Sequence, residues 1–221
     1  HTIDTDDYGV PQTRDRMIIL MTRHGVRRRW TLPPVEQHRV TMEEAIGHLP
    51  TVDPFIKDLP QEEFLRLFPH YEERRRQALA ISPWNIPPVH VWRQVRAMMY
   101  TPTGQTAFDN EPEYRPVKAD GTFVRGYHNT YKRQNWNTPA YTVTMDNRKI
   151  SSQNNVHPGR KLHNGTYSDA RVLSILEILR LFGLPDDWNI PNWASENFVR
   201  QVIGEGFPPI FSAKLLKTMP I

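Results

Sequence analysis

Tyr8-Gly9-Val10-Pro11-Gln12-Thr13-Arg14-Asp15-Arg16 runs straight into the apolar stretch Met17-Ile18-Ile19-Leu20-Met21. A strand turns alternate residues to the same side, so the spacing Gln-x-Arg-x-Arg puts Gln12, Arg14 and Arg16 on one face. Three long donors there suit an anion or the edge of a base. The following residues predict a strand from Arg16 to Met21, ended by Thr22 and Gly25. A strand this apolar is ordinarily buried on both faces of a parallel or mixed sheet. No second strand of that kind is evident, so the rest of the sheet is expected outside these residues. The chain also contains no cysteine.

The 221 residues suffice for one large domain or two small ones. Hydrophobic residues make up 38% and mean hydropathy is −0.63. Proline, at 20 residues, is roughly 9% of the chain against a usual ~5%, which favours a loop-rich, irregular body. A net charge of +4 and a pI near 9.4 permit nucleic-acid binding without demanding it. Arg23, Arg27, Arg28 and Arg29 cluster directly after the first strand. Arg74, Arg75 and Arg76 sit beside Glu72 and Glu73 and read equally well as a solvated helix face. No apolar run reaches the length of about 18 residues that a membrane span needs. The N-terminus is acidic and polar, unlike a signal peptide. It opens on His1, which reads as the start of a fragment or trimmed chain.

Thr41-Met42-Glu43-Glu44 is a capping box opening a short helix that ends near Leu49-Pro50. Helices are predicted over 61–68, with Phe64, Leu65 and Phe68 on one stripe, and over 90–100, with Trp92, Val95 and Met99 inward. Residues 101–130 read as loop with short strands, and Tyr141 to Met145 as a strand by its β-branched content. A polar loop follows over 146–168. Ser174-Ile175-Leu176-Glu177 is a second capping box, predicting a helix from Ile175 to Phe182 stopped by Gly183 and Pro185. A further helix is expected from Glu196 to Ile203, broken by Gly204-Glu205-Gly206. Pro208-Pro209 begins a last one, to about Lys217.

Taken singly, these pieces have ordinary readings: a solvated sheet end, a basic surface loop, a helix-breaking turn. Their order does not. GVPQTRDR (9–16) resembles the eighth motif of the DNA cytosine-5 methyltransferase family, which ends in Gln-x-Arg-x-Arg. TMEEAIGHLP (41–50) is similar to the segment just after it. TPTGQTAFDN (101–110) and YKRQNWNTPAYTVT (131–144) resemble parts of the target-recognition domain in bacterial and phage members. HPGRKL (157–162) with ARVLSILEILRLFGLPDDW (170–188) resembles the ninth motif, and VRQVIGEGFPPIFSAKLLK (199–217) the tenth. The resemblance covers nearly the whole chain, and matches the C-terminal half of such an enzyme.

That family flips the target cytosine out of the duplex, adds a cysteine thiolate beside C5 and takes a methyl group from S-adenosylmethionine. A thiolate suits the attack because it is nucleophilic near neutral pH. The family's Pro-Cys-Gln and Phe-x-Gly-x-Gly motifs are both missing here, so the resemblance implies that this chain does not methylate by itself. It implies an α/β fold: partial Rossmann-like sheet elements at both ends, with an irregular α+β recognition domain between. The expected division is 1–26 for the catalytic-domain strand, 27–190 for the recognition domain with the ninth-motif helix, and 191–221 for a segment returning to the cofactor domain.

By the same resemblance, Arg16 reaches the flipped cytosine's carbonyl oxygen or the catalytic glutamate, while Arg14 and Gln12 position backbone and catalytic loop. Thr142-Val143 is similar to the family's Thr-Leu pair beside the DNA backbone. Asn147, Arg148, Ser152, Gln153 and Asn154, with Arg27 and Arg28, are the candidates for base edges or phosphates. Arg171 and Glu177, with Arg180, are expected to organise the junction between the two domains. Gly204, Glu205, Gly206 and Phe207 occupy the cofactor-contacting place. Many members have Gly-Asn where this chain has Gly204-Glu205, which keeps an acceptor for the cofactor's ammonium and loses a donor.

The partners implied are double-stranded DNA and an N-terminal catalytic half, preceding this segment or separate, in the bacterial cytoplasm or a phage-infected cell. The alternative is a non-catalytic, sequence-specific DNA-binding module derived from such an enzyme. The first reading is favoured because the strand from Met17 and the helix from Pro208 would expose apolar surface unless another part covers them.

Overall fold

The computed structural model describes all residues except Arg28, Pro220 and Ile221. Strand β1 (Thr2–Asp4) pairs antiparallel with β2 (Asp15–Met17), Ile3 opposite Arg16. The chain then passes through a long irregular stretch to helix α1 (Met42–Ile46). Strand β3 (Phe55–Ile56), helices α2 (Gln61–Leu67) and α3 (Tyr71–Ile81), strand β4 (Val89–His90) and helix α4 (Trp92–Met99) follow, with β3 and β4 parallel. Irregular chain occupies most of the next 75 residues, to helices α5 (Ile175–Phe182), α6 (Glu196–Glu205) and α7 (Pro209–Leu216). The result is a mixed α/β body with two small sheets.

Local signals formed where expected. The Thr41 and Ser174 capping boxes are both complete, each side-chain oxygen accepting from the third residue on while that Glu bonds back to the cap. Gly183 ends α5 in the left-handed region at φ 78°, satisfying two orphan helix carbonyls. Helix α6 differs from expectation. It runs on through Gly204 and Glu205 and ends at Gly206, because Gly204 lies against another segment rather than at a turn.

Two strand predictions are corrected. β2 stops at Met17, and no strand runs to Met21; Met17, Ile19 and Met21 are 75%, 73% and 81% exposed. Alternate side chains do point the same way there, but outward. Tyr141 to Met145 forms no strand either; the nearby ladder is a single parallel bridge between Gln12 and Ala140. Its backbone groups bond to side chains instead, for want of a neighbouring strand.

Three apolar clusters hold the fold. One joins α1, α5 and α6 through Met42, Ile46, Leu179 and Ile203, and takes in Ala140 and Val143. The second lies in the central lobe around α4, Ile150, Val156 and Val172. The third unites the two ends of the chain, Ile3, Tyr8 and Val10 closing over Phe211 of α7. The expected exposure of the last helix is therefore only partial: Phe211 is fully buried, while Leu216 remains exposed.

Candidate functional site

Gln12 and Arg14 turn the same way, into the interior, whereas Arg16 stays near the surface, so the expected face carries two of the three. Gln12 is held at both ends of its amide. Its Oε1 accepts from the Val143 N–H at 2.8 Å, and its Nε2 donates to the Leu181 carbonyl of α5 at 3.4 Å. Arg14 donates through Nη1 to the Val143 carbonyl at 2.9 Å and through Nη2 to the carbonyls of Gly204 (2.6 Å) and Gly206 (3.0 Å). Two motif side chains thus clamp one residue, Val143, through both its N–H and its carbonyl. Burial, and then the nearby charge of Arg16, pull Arg14 down to about 10, so it keeps its charge at neutral pH.

Arg16 projects from β2 and donates to the Asp15 carbonyl at 2.7 Å. It has no carboxylate partner among the described residues, which leaves a free cation beside the clamped segment.

The segment facing them divides into a buried and an open part. Val143 is core, and its polar backbone is spent on Gln12 and Arg14, so it is corrected from a DNA contact to an anchor. Thr142, half-buried, donates its hydroxyl to the Thr13 carbonyl at 2.7 Å. Asn147 is also corrected: it is buried, donates to Thr144, and accepts from Nη1 of Arg200 at 2.9 Å. Arg148 is exposed and lies 3.6 Å from Glu196. Gln153 is exposed and Ser152 half-buried. Asn154 sits at φ 46°, a conformation that asparagine tolerates better than most residues. Arg27 is exposed, and Arg28 lies outside the described residues.

Of the four candidate cofactor contacts, Gly204 and Gly206 face inward. A Cβ on Gly204 would stand 2.5 Å from the Thr144 carbonyl oxygen, and one on Gly206 3.2 Å from the Phe182 ring. Phe207 is half-buried, its ring 5.4 Å from Phe211. Only Glu205 is presented to solvent, its carboxylate accepting from Gln201 at 3.0 Å. Both glycines therefore stand at close-packing positions.

Arg171 is fully buried and grips Glu177 with two bonds of 2.8 Å, Asp169 with one of 2.9 Å and the Val52 carbonyl with another of 2.9 Å. Burial opposes its charge, but Glu177 and then Asp169 outweigh that and raise it. Arg180, expected beside them, is elsewhere: it is half-buried and pairs with Asp186 and His48. Sequence reading missed two comparable organisers. Arg133, fully buried, donates to the carbonyls of Met98, His157 and Asp169. Arg200 donates to Glu196, Asn147 and Leu173. The Glu196/Arg200 spacing of four on one helix face was a usable signal for the second; Arg133, whose partners are all backbone, left none.

An arginine-clamped junction between an N-terminal Gln-x-Arg-x-Arg segment and a glycine-containing C-terminal helix defines the class. The family model for C-5 cytosine-specific DNA methylase matches residues 1–220, and the chain belongs to that family. It is 44% identical over 208 residues to the Type II methyltransferase M1.HgaI of Avibacterium volantium, a match covering 94% of this chain. The chain spans about half that relative's length, 51%. A solved structure of a DNA modification methyltransferase encoded within a prophage of E. coli covers 99% of this chain and 58% of its own, at 17% identity and a TM-score of 0.48. No described helix is long and apolar enough to cross a membrane.

Proposed function

We propose that this chain is the DNA-reading and site-completing part of a DNA cytosine-5 methyltransferase, working with a nucleophilic cysteine supplied from outside it. One observation carries the reading. Arg14 joins the eighth-motif segment, the Val143 peptide and the Gly204–Gly206 backbone at a single guanidinium. Such a junction fixes a recognition lobe relative to the strand bearing Arg16.

Arg16 is then the group that meets the flipped cytosine. A fixed cation beside an oxygen that gains negative charge lowers the barrier in a dry pocket. The exposed apolar side chains of Met17, Ile19 and Met21 are the surface on which the catalytic half closes, completing the Rossmann-like sheet. In this reading 1–26 and 191–221 belong with that half, and 27–190 reads the DNA. Thr142, Arg148, Ser152, Gln153, Asn154 and Arg27 remain its candidates for phosphates or base edges.

The methyl donor of the family is S-adenosylmethionine, which supplies the methyl group when bound. Glu205 fits its ammonium: the carboxylate is exposed, and it stands at the C-terminal end of α6, where the helix dipole favours a cation. Gly204 and Gly206 set the path of the backbone that presents it.

The test is reconstitution. The chain is mixed with a polypeptide bearing Pro-Cys-Gln and Phe-x-Gly-x-Gly, and transfer of labelled methyl groups to duplex DNA is followed. Duplex binding without methylation, with every such polypeptide from the native locus, would leave the DNA-binding-module reading standing instead.

A further inference from the structure

Residues 117–130 form an arm that none of the matched motifs includes. Val117 bridges Phe123 antiparallel, Lys118 N–H donates to the Thr122 carbonyl at 2.8 Å, and Gly121 makes the turn at φ 82°. Asp120 is consumed by the turn, accepting from the Thr122 N–H at 2.9 Å and its hydroxyl at 2.7 Å. Val124 packs into the central core, while Phe123, Arg125 and Tyr127 are exposed. An aromatic, a guanidinium and an aromatic thus stand in solvent within five residues.

This stretch is held firmly. A Cβ on Gly126 would come within 2.9 Å of the Phe108 ring, so the backbone lies directly on that side chain. Thr130 caps the end through its hydroxyl and N–H, both to the Tyr127 carbonyl at 2.9 Å. Yet Tyr127 is 81% and Phe123 56% exposed. An arm that keeps two aromatic rings in water has apolar surface without a partner among the described residues.

The arm's location names the partner. Thr130 bridges Gln153, and the Asn154 N–H donates to the Asn129 carbonyl at 2.8 Å. Asn154 in turn is tied to Gln134, whose Oε1 accepts from the Tyr141 N–H at 2.9 Å. A continuous seam therefore leads from the Val143 clamp through the 151–154 loop to this arm. Lys132 extends it, lying 5.0 Å over the Tyr141 ring. Lys118 and Arg125 make no ion pair among the described residues, so the arm faces outward with net positive charge.

We infer that the 117–130 arm is a second DNA-contacting element, Phe123 and Tyr127 packing on bases or sugars while Arg125 and Lys118 meet phosphates. It rests on the DNA-reading function proposed above. Cations track the backbone, and rings flanking them supply contact that does not depend on salt.

The test is fluorescence anisotropy of the full chain on a labelled mixed-sequence duplex over a salt series, with circular dichroism confirming each variant's fold. Tyr127→Ala and Phe123→Ala should each weaken binding about tenfold with the log–log salt slope unchanged. Arg125→Gln should make that slope shallower by about one, and Tyr127→Phe should retain binding. Variants that bind as the unaltered chain does overturn the arm alone. So do variants that keep DNA binding and lose association with a cysteine-bearing polypeptide. An unaltered chain that does not bind duplex at all overturns the DNA-reading function beneath it.

Discussion

The guanidinium of Arg14 donates to the carbonyl of Gly204 at 2.6 Å across 190 positions of sequence. The same nitrogen reaches Gly206, and its neighbour reaches Val143. Arg14→Ala removes the donor to three carbonyls at this junction and leaves them without a partner. Each buried polar group so stranded costs about 1–3 kcal/mol, so a loss of roughly 3 kcal/mol or more is expected. Arg14→Lys keeps the charge but not the planar fork, and should recover only part of it. Urea unfolding midpoints measure both, and an alanine variant as stable as the parent would show the clamp to be incidental.

Gly204 tests the same junction from the other side. In most helices Gly→Ala stabilises by about 1 kcal/mol. Here the new Cβ would stand 2.5 Å from the Thr144 carbonyl oxygen and 2.7 Å from the Met145 nitrogen, both backbone atoms. Forcing them apart should reverse the sign, destabilising by about 1–3 kcal/mol. Thermal unfolding of Gly204→Ala, with Gly206→Ala as the milder comparison, distinguishes close packing from a plain helix break.

Arg16 separates catalysis from binding. Among the described residues its side chain holds only the adjacent Asp15 carbonyl, so Arg16→Ala should leave stability nearly unchanged. In the reconstituted enzyme, methyl transfer should fall about 100- to 1,000-fold, the scale for losing one preorganised donor to a developing oxyanion. Duplex affinity should change much less. Equal losses in both would make Arg16 a phosphate contact.

The contrast between these arginines explains what could be read in advance. The Thr41 and Ser174 capping boxes, α5 with its Gly183 terminator and the start of α7 all lie within a few residues of the signals that encode them. Family order located Arg14, Arg16, Arg171 and the glycines. It did not reveal that Arg14 and Asn147 point inward, because their partners, Gly204 and Arg200, stand far along the chain and are chosen only by packing. Tyr141 to Met145 has strand composition and forms no strand, since β propensity reports fit to a neighbouring strand and Gln12 and Gln134 occupy that place. Met17 to Met21 likewise has strand composition, but β1 pairs it only as far as Met17, and Ile19 and Met21 beyond stay exposed. Phe123, Arg125 and Tyr127 fell within 101–130, read only as loop with short strands, because composition does not tell exposed aromatics from those of a half-buried strand.

Asp6 makes stability depend on pH near neutrality. Burial, with the neighbouring charge of Asp4, raises its carboxyl to about 6, against the opposing pull of Arg39. A folded value above the ordinary 3.8 means that this contribution to stability is complete below about pH 4 and is lost as pH rises through about 6. His157 and His90, held by burial at about 4 and about 3, act oppositely, losing stability as pH falls below their ordinary range. The comparison of Asp6→Asn with the parent cancels the histidines. The variant's advantage in Tm should be small near pH 4, grow through about pH 6 and then level off. A difference that stays flat over that range would mean Asp6 is not protonated in the folded protein.

Arg171 should prove the least replaceable residue of the ninth-motif region. Its bonds tie the loop before β3, through Val52, to Asp169 and to the start of α5 at Glu177. Asp169 is held at about 2: burial works against its charge, and His157 and Arg171 overcome it. Arg171→Ala leaves two buried carboxylates without their cation, a loss of about 3–5 kcal/mol for breaking such a group. Arg171→Lys cannot serve both carboxylates and the carbonyl at once, so it should recover little. Asp169, lowered from its ordinary 3.8, contributes stability above that value that is lost as pH falls toward about 2. Acid unfolding of the parent should therefore steepen below about pH 4, and Asp169→Asn should remove that steepening at the cost of lower stability at neutral pH. If Arg171→Ala unfolded at the parent's urea concentration, the network would be ornament on a fold held by the α1–α5–α6 core alone.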